Sequence, residues 1–232
     1  MSGVIAVLGF GEAGSLIARD LVAAGADLVL SVNSAKEAVA AFAAALDAIG
    51  PGAVWADLNT AAPGIKQRLA EMGRAHGVPV TDIAMMAPVP GRGLRVPMLA
   101  SGDAARQVAG RLGAYGADVE VLDGPAGLAA SKKLLRSVFY KGMAASIVEA
   151  LEAARAAGHE DWLREHIADE LAKSDASTLD RIVTGTRQHA VRRGAEMEAA
   201  AQMLTELGVR PLMADASRAL HERLAAGDDD RP

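Results

Sequence analysis

The chain has 232 residues, 51% hydrophobic and 23% charged, with a formal charge of −5 and no cysteine. These values suit a soluble globular protein and exclude disordered and collagen-like classes, disulfides, thiolate metal sites and a cysteine nucleophile. The negative balance also argues against nonspecific nucleic-acid binding as the main activity. Aromatics make up only 3%, so the core is built from Ala, Val, Leu, Ile and nine Met, which favours closely packed helices over an aromatic-rich β-sandwich. The start, MSGVIAV, has no basic region ahead of its apolar run, and no run reaches transmembrane length. The expected location is cytoplasmic, with no membrane partner.

The first element is an apolar run, Val4 to Leu8, that suits a buried strand, followed at once by Gly9-Phe10-Gly11-Glu12-Ala13-Gly14. That is a full G-x-G-x-x-G at a strand's end. The first glycine allows the tight turn, the second admits a pyrophosphate, and the third lets the next helix pack closely. The amphipathic Ser15 to Ala24 supplies that helix, whose free N–H groups would hold phosphates. Asp27 to Val32 reads as a second strand, Ser34 to Leu46 as a helix, and Ala53 to Asp57 as a third strand. A helix begins over Asn59 to Pro63, capped by Thr60, and ends near Gly77. Val78 to Ala84 and Val96 to Ala100 follow as strands, then a helix capped by Ser101-Gly102-Asp103 and running to Gly113, then a strand at Val119 to Leu122. Strands alternating with helices predict a parallel sheet covered on both faces, an α/β domain over residues 1–124.

From Pro125 onward no strand pattern returns. Ala126 to Ala157 reads as one long helix, followed by helices at Glu160 to Lys173, Thr178 to Leu207 and Ala214 to Ala226. Residues 125–226 are thus expected to form a helical domain, and 227–232 an acidic tail.

In the long helix Lys132, Lys133, Arg136 and Lys141 precede the first acid, Glu149. Cations early in a helix oppose its dipole, which asks for an anionic partner. Lys133, Arg136, Ser137 and Tyr140 share one face. Two readings stand here: a solvated basic face, or a site in which neighbouring cations bring Lys133 toward the range useful for proton transfer. The segment Met85 to Pro97 holds three prolines and two arginines, Arg92 and Arg95. Either arginine can grip a carboxylate or phosphate; the plain alternative is a connecting loop. His189, Arg192, Arg193 and Glu196 share a later face, which an outward polar surface also explains. No histidine pair has metal-ligand spacing, so no metal is expected; His159-Glu160-Asp161 reads as a helix start.

These segments, in order, resemble the β-hydroxyacid dehydrogenase and phosphogluconate dehydrogenase superfamily, in the branch of bacterial oxidoreductases with a distinctive helical C-terminal domain. The resemblance runs through GFGEAG, VWADLNTAAP, DIAMMAPVPGRGLRVPMLASG, GLAASKKLLRSVFYKG and RQHAVRRGAEMEAA. It implies a Rossmann-like sheet followed by an all-helical domain, NAD or NADP as cofactor, a small-molecule substrate, and a homodimer. It also implies roles. Lys133 matches the lysine that handles the substrate proton. Gly9, Phe10, Gly11, Glu12, Ala13, Gly14, Ser31, Asn33 and Asn59 fall on the cofactor side. Pro90, Gly91, Arg92, Arg136, Ser137 and His189 fall on the substrate side.

The chain departs from the family pattern in several places. Ser137 stands where better-studied members carry asparagine, and a hydroxyl lacks an amide's two-sided hydrogen bonding. Pro90-Gly91-Arg92-Gly93 replaces a serine-glycine-glycine signature, and His189 and Glu196 replace a lysine and an aspartate. The fingerprint's acid at the end of the second strand, which holds the adenine ribose, is missing. Asp27 to Val32 resembles the family's fourth strand, so a strand–helix–strand segment is expected to be absent and the sheet shortened. The competing view makes Leu28 to Val32 the true second strand, with Asn33, Ser34 and Lys36 gripping a ribose phosphate. The expected activity is hydride transfer between nicotinamide and a small acidic hydroxy or keto substrate. The alternative is a degenerate, non-catalytic dimeric member with impaired cofactor binding.

Overall fold

The computed structural model describes residues 4–9 and 26–227. Among the described residues six strands form one sheet: β1 (Ile5–Leu8), β2 (Leu28–Ser31), β3 (Val54–Asp57), β4 (Val80–Met85), β5 (Met98–Ser101) and β6 (Val119–Val121). Their order in space is their order in sequence. β2 lies directly beside β1 in parallel register, Ile5 opposite Leu28 and Leu8 opposite Ser31. Were Leu28 to Val32 the usual second strand, the order would reverse at β1, as it does in a doubly wound sheet. It does not reverse. The strand that follows β1 sits where the missing strand–helix–strand reading puts it. Among the described residues β1 is an edge strand of the sheet.

β2 and β3 are buried along their whole length, as parallel strands covered on both faces must be. On one face Val29, Trp55 and Val80 pack with Phe42 and Leu69, which belong to α1 (Ala38–Ala45) and α2 (Pro63–Ala75). The Trp55 and Phe42 rings lie 4.7 Å apart. On the other face Leu28, Leu30, Val54 and Ala56 pack with Val108 and Leu112 of α3 (Ala105–Gly113).

Four local expectations are corrected. β4 and β5 pair antiparallel; residues 86–97 between them are long enough for a crossover but hold only a 3-10 turn at Gly93–Arg95 and not the helix that usually carries a parallel crossover. The helix expected from Ser34 starts at Ala38; the Ser34 hydroxyl instead accepts the Glu37 N–H, closing a turn. Thr60 does not cap α2, whose N-cap is Ala62 with Pro63 next. Ser101 and Asp103 do not cap α3 either, since its N-cap is Ala104. The Ser101 hydroxyl accepts from Ala129 N–H.

The helices continue with α4 (Leu128–Ala156), α5 (Glu160–Ala172), α6 (Ala176–Gln188), α7 (Ala190–Glu206) and α8 (Leu212–Ala225). The single helix expected over Thr178 to Leu207 is two, broken at His189, whose φ of −116° and ψ of 26° are not helical. The chain divides into two compact units, Met1–Val138 and Phe139–Pro232. In the second, the Glu149 carboxylate accepts the N–H groups of Met213 and Ala214 at 2.7 and 2.9 Å and so caps the start of α8.

Candidate active site

The polar centre of the first unit starts at the last residue of β3. Asp57 is fully buried, so its carboxylate needs partners from the protein. Its Oδ1 accepts the Asn59 N–H at 2.9 Å and its Oδ2 the Asn59 side-chain amide at 3.3 Å. Lys66, 1% exposed on α2, donates to the Asp57 carbonyl at 2.9 Å and to Oδ1 at 3.3 Å. The same ammonium lies 3.1 Å from Asp82 Oδ1 on β4, an ionic contact without hydrogen-bond geometry. Burial pushes the Asp57 carboxyl above the usual carboxylate range, while Lys66 and the Asn59 N–H pull it back. Removing one member of such a buried group leaves an uncompensated charge and costs about 3–5 kcal/mol.

Asp82 also reaches forward in the chain. Its Oδ2 accepts the N–H groups of Gly127 and Ala130 at 3.1 and 2.8 Å. With Ser101 on Ala129, β4 and β5 thereby satisfy the first turn of α4, whose orphan donors carry partial positive charge. Gly127 is required there, because its φ is +103° and an added Cβ would lie 2.9 Å from the Pro63 carbonyl oxygen. One turn into the helix, Lys133 donates to Thr60 Oγ1 at 2.8 Å. Asn59, Thr60, Asp82, Ala84, Ala130 and Lys133 line one small hollow.

The amide of Asn59 has a fixed orientation. Its nitrogen gives one hydrogen to Asp57 and another to Ser31 Oγ at 3.0 Å, so the opposite atom is the oxygen. That Oδ1 is buried with no donor among the described residues. Asn33 Nδ2 also reaches Ser31 Oγ, at 3.3 Å. Ser31, Asn33 and Asn59 therefore come together, at the C-terminal ends of β2 and β3.

Of the glycine-loop residues, Gly9 is described and Phe10, Gly11, Glu12, Ala13 and Gly14 lie outside the described residues. A Cβ on Gly9 would stand 2.5 Å from the Val32 carbonyl oxygen, so the close approach of β1 to the end of β2 demands glycine. Pro90, Gly91 and Arg92 are exposed on the loop after β4. Arg136 is exposed and Ser137 half-buried on α4, within a turn of Lys133. His189 belongs to the helical unit, at the α6–α7 break, and the nearby Arg192 pairs with Glu196 at 2.7 Å. Sequence reasoning assigned no role to Asp57, Lys66 or Asp82. The available signal was Lys66 standing in line with Leu69, Ala70 and Gly73, a cation on the buried face of a helix.

Among the described residues no three His, Cys, Asp or Glu side chains are placed to hold a metal, and no helix is long and apolar enough to cross a membrane. Residues 154–224 match the family described as Domain of unknown function (DUF1932). A conserved hypothetical protein from Sinorhizobium meliloti 1021 is 28% identical with a TM-score of 0.58, over 100% of this chain and 91% of that one. A conserved protein described as structurally similar to 3-hydroxyacid dehydrogenases is 23% identical with a TM-score of 0.55, over 97% of each chain. The chain has the 3-hydroxyacid dehydrogenase-like fold. An imine reductase from Myxococcus stipitatus, a variant in complex with NAD+, shares this fold with a TM-score of 0.72 and 16% identity, over 98% of this chain and 95% of that one. No curated protein matches. In the 3-hydroxyacid dehydrogenase-like fold as this chain builds it, the strand ends carrying Ser31, Asp57 and Asn59 lie beside the first turns of the helix that carries Lys133.

Proposed function

We propose that the chain is an NAD(P)-dependent oxidoreductase acting on a small acidic hydroxy or keto substrate, with Lys133 as its general acid and base. The observation that carries this reading is the hydrogen bond that brings Lys133 to Thr60, next in the chain to Asn59, whose Oδ1 has no donor among the described residues. A buried acceptor without a protein donor suits the N–H or O–H groups of a nicotinamide riboside. The Myxococcus stipitatus protein's complex with NAD+ supports the same cofactor class. When bound, the nicotinamide supplies or accepts a hydride at the substrate carbon. Lys133 Nζ then gives the substrate oxygen its proton, or takes it in the reverse direction.

The remaining residues take supporting places in this reading. Residues 1–124 form the dinucleotide domain, with Gly9, Phe10, Gly11, Glu12, Ala13 and Gly14 on the pyrophosphate and Ser31, Asn33 and Asn59 near the nicotinamide side. Arg92 and Arg136 orient the substrate's acid group; Pro90, Gly91, Ser137 and His189 shape its surroundings. Fluorescence titration with NADH and NADPH tests the cofactor, followed by turnover of small keto acids and imines. Lys133→Ala should lower turnover by roughly 10²–10⁴-fold, the usual worth of a general acid, and leave cofactor affinity within a few-fold. Absence of binding for both nucleotides at millimolar concentration sinks the reading.

Residues 125–226 serve in this reading as the dimerising domain of a cytoplasmic homodimer. Among the described residues, the buried apolar side chains of the second unit are Ala153, Ala154, Ala190, Ala201, Leu204 and Ala214, whereas Trp162, Leu179, Ile182 and Val191 are each more than half exposed. A unit that buries alanines and exposes its large side chains lacks a covering surface. Its apolar groove of about 500 Å³, lined by Trp162, Met197, Leu204 and Met213 among others, offers one for a second copy. Sedimentation should give twice the 23.8 kDa of one chain; a monomer at micromolar concentration contradicts it.

A further inference from the structure

We propose that Lys66 is a positioning residue for Lys133, because one buried ammonium joins the two carboxylates from which both sides of the Lys133–Thr60 contact are hung. The circuit is closed. Thr60 follows Asn59, which is held on Asp57 by its N–H and its amide. Lys133 follows Ala130 in α4, and Ala130 N–H is held on Asp82 at 2.8 Å. Lys66 lies 3.3 Å from Asp57 Oδ1 and 3.1 Å from Asp82 Oδ1, and Lys133 closes the ring on Thr60 at 2.8 Å.

The charges show why a cation belongs there. Two carboxylates this deeply buried repel each other, and without a cation one of them would be driven to take up a proton. A neutral Asp82 would be a weaker acceptor for the first turn of α4, and a neutral Asp57 a weaker one for the Asn59 turn. Lys66 sets one positive charge between the two acceptors, 3.3 Å from one and 3.1 Å from the other. The N–H groups that Asp82 accepts from the start of α4 balance the remaining negative charge. Every other described hydrogen bond of the Lys66 ammonium goes to the Asp57 backbone carbonyl, so the residue touches the site only through these groups.

This inference rests on the role given to Lys133 above, and its test is chosen to stand apart from turnover. The test uses the full chain without substrate, acetylated by limiting acetic anhydride; the reactivity of Lys133 is read by mass spectrometry against the exposed Lys132 on the same helix. Lys66→Met should change the Lys133-to-Lys132 ratio by about threefold or more. On any substrate the wild type turns over, kcat should drop by about tenfold or more with the cofactor KM unchanged. A purely structural Lys66 would lower the melting temperature and leave the labelling ratio where it was. Should Lys66→Met fail to fold, Lys66→Met with Asp57→Asn removes opposite charges together, an exchange buried pairs tolerate, and the same ratio is read. A folded variant with the wild-type ratio overturns the proposal. A wild type that turns over nothing overturns only the enzymatic reading.

Discussion

Glu160 answers for two arginines on the surface of the helical unit. Its carboxylate accepts from Arg155 Nε at 2.6 Å and Arg164 at 2.9 Å, and these hydrogen bonds hold it down to about 2. The sign follows from the direction. A carboxyl lowered in the folded state stabilises the fold above its unfolded value, and that contribution fades as pH falls through the folded one. NMR titration of Glu160 should place its midpoint near that value at low salt and move it upward in 1 M NaCl, because the group is exposed and screened. The melting temperatures of wild type and Glu160→Gln should differ near neutral pH and converge at about pH 2. A Glu160 midpoint in the ordinary glutamate range would remove the cluster from any account of stability. Asp57 moves the opposite way under burial, so the same residue class serves here as an exposed staple and there as a buried anchor.

At the scale of elements, much of the fold was legible because periodicity and punctuation agreed. The strands at Leu28–Ser31 and Val54–Asp57 are apolar up to their last residues, as central parallel strands tend to be, and the long helix Leu128–Ala156 carries no internal proline. Two of the capping misreadings share one cause. Thr60, Ser101 and Asp103 stand in the usual place for capping side chains, but tertiary partners claimed the first two: Lys133 took Thr60, and Ala129 took Ser101. Asp103 instead faces Arg74 at 3.8 Å. The antiparallel β4–β5 pairing followed from a loop whose length resembles a crossover but whose prolines and glycines build no helix. The break at His189 has no glycine or proline to announce it. In the candidate site, Lys133 stood out in the sequence as a cation in the wrong part of a helix, whereas Asp57, Lys66 and Asp82 did not, because their partnership spans three elements and depends on burial that single-residue patterns do not carry.

For the molecule as a whole, the sheet whose strands follow one another in space as they do in sequence bears on the order of assembly. Each new strand finds its neighbour already made, so pairing stays local and loop closure is cheap. As the chain leaves the ribosome, β1 to β4 can pair with one another by Met85, while one face of the sheet still awaits Val108 and Leu112 and the Asp82 Oδ2 awaits residues 127–130. Until α4 arrives, Lys66 is the group that keeps that carboxylate tolerable inside a half-built core. We therefore expect β2 to β4 to gain protection early in pulse-labelling hydrogen exchange during refolding, with the amides of Gly127 and Ala130 protected in a later phase. Simultaneous protection of both would show that the sheet waits for the helix. The ammonium that links the finished site would then also have been its temporary counter-ion during synthesis, standing in for a helix not yet made.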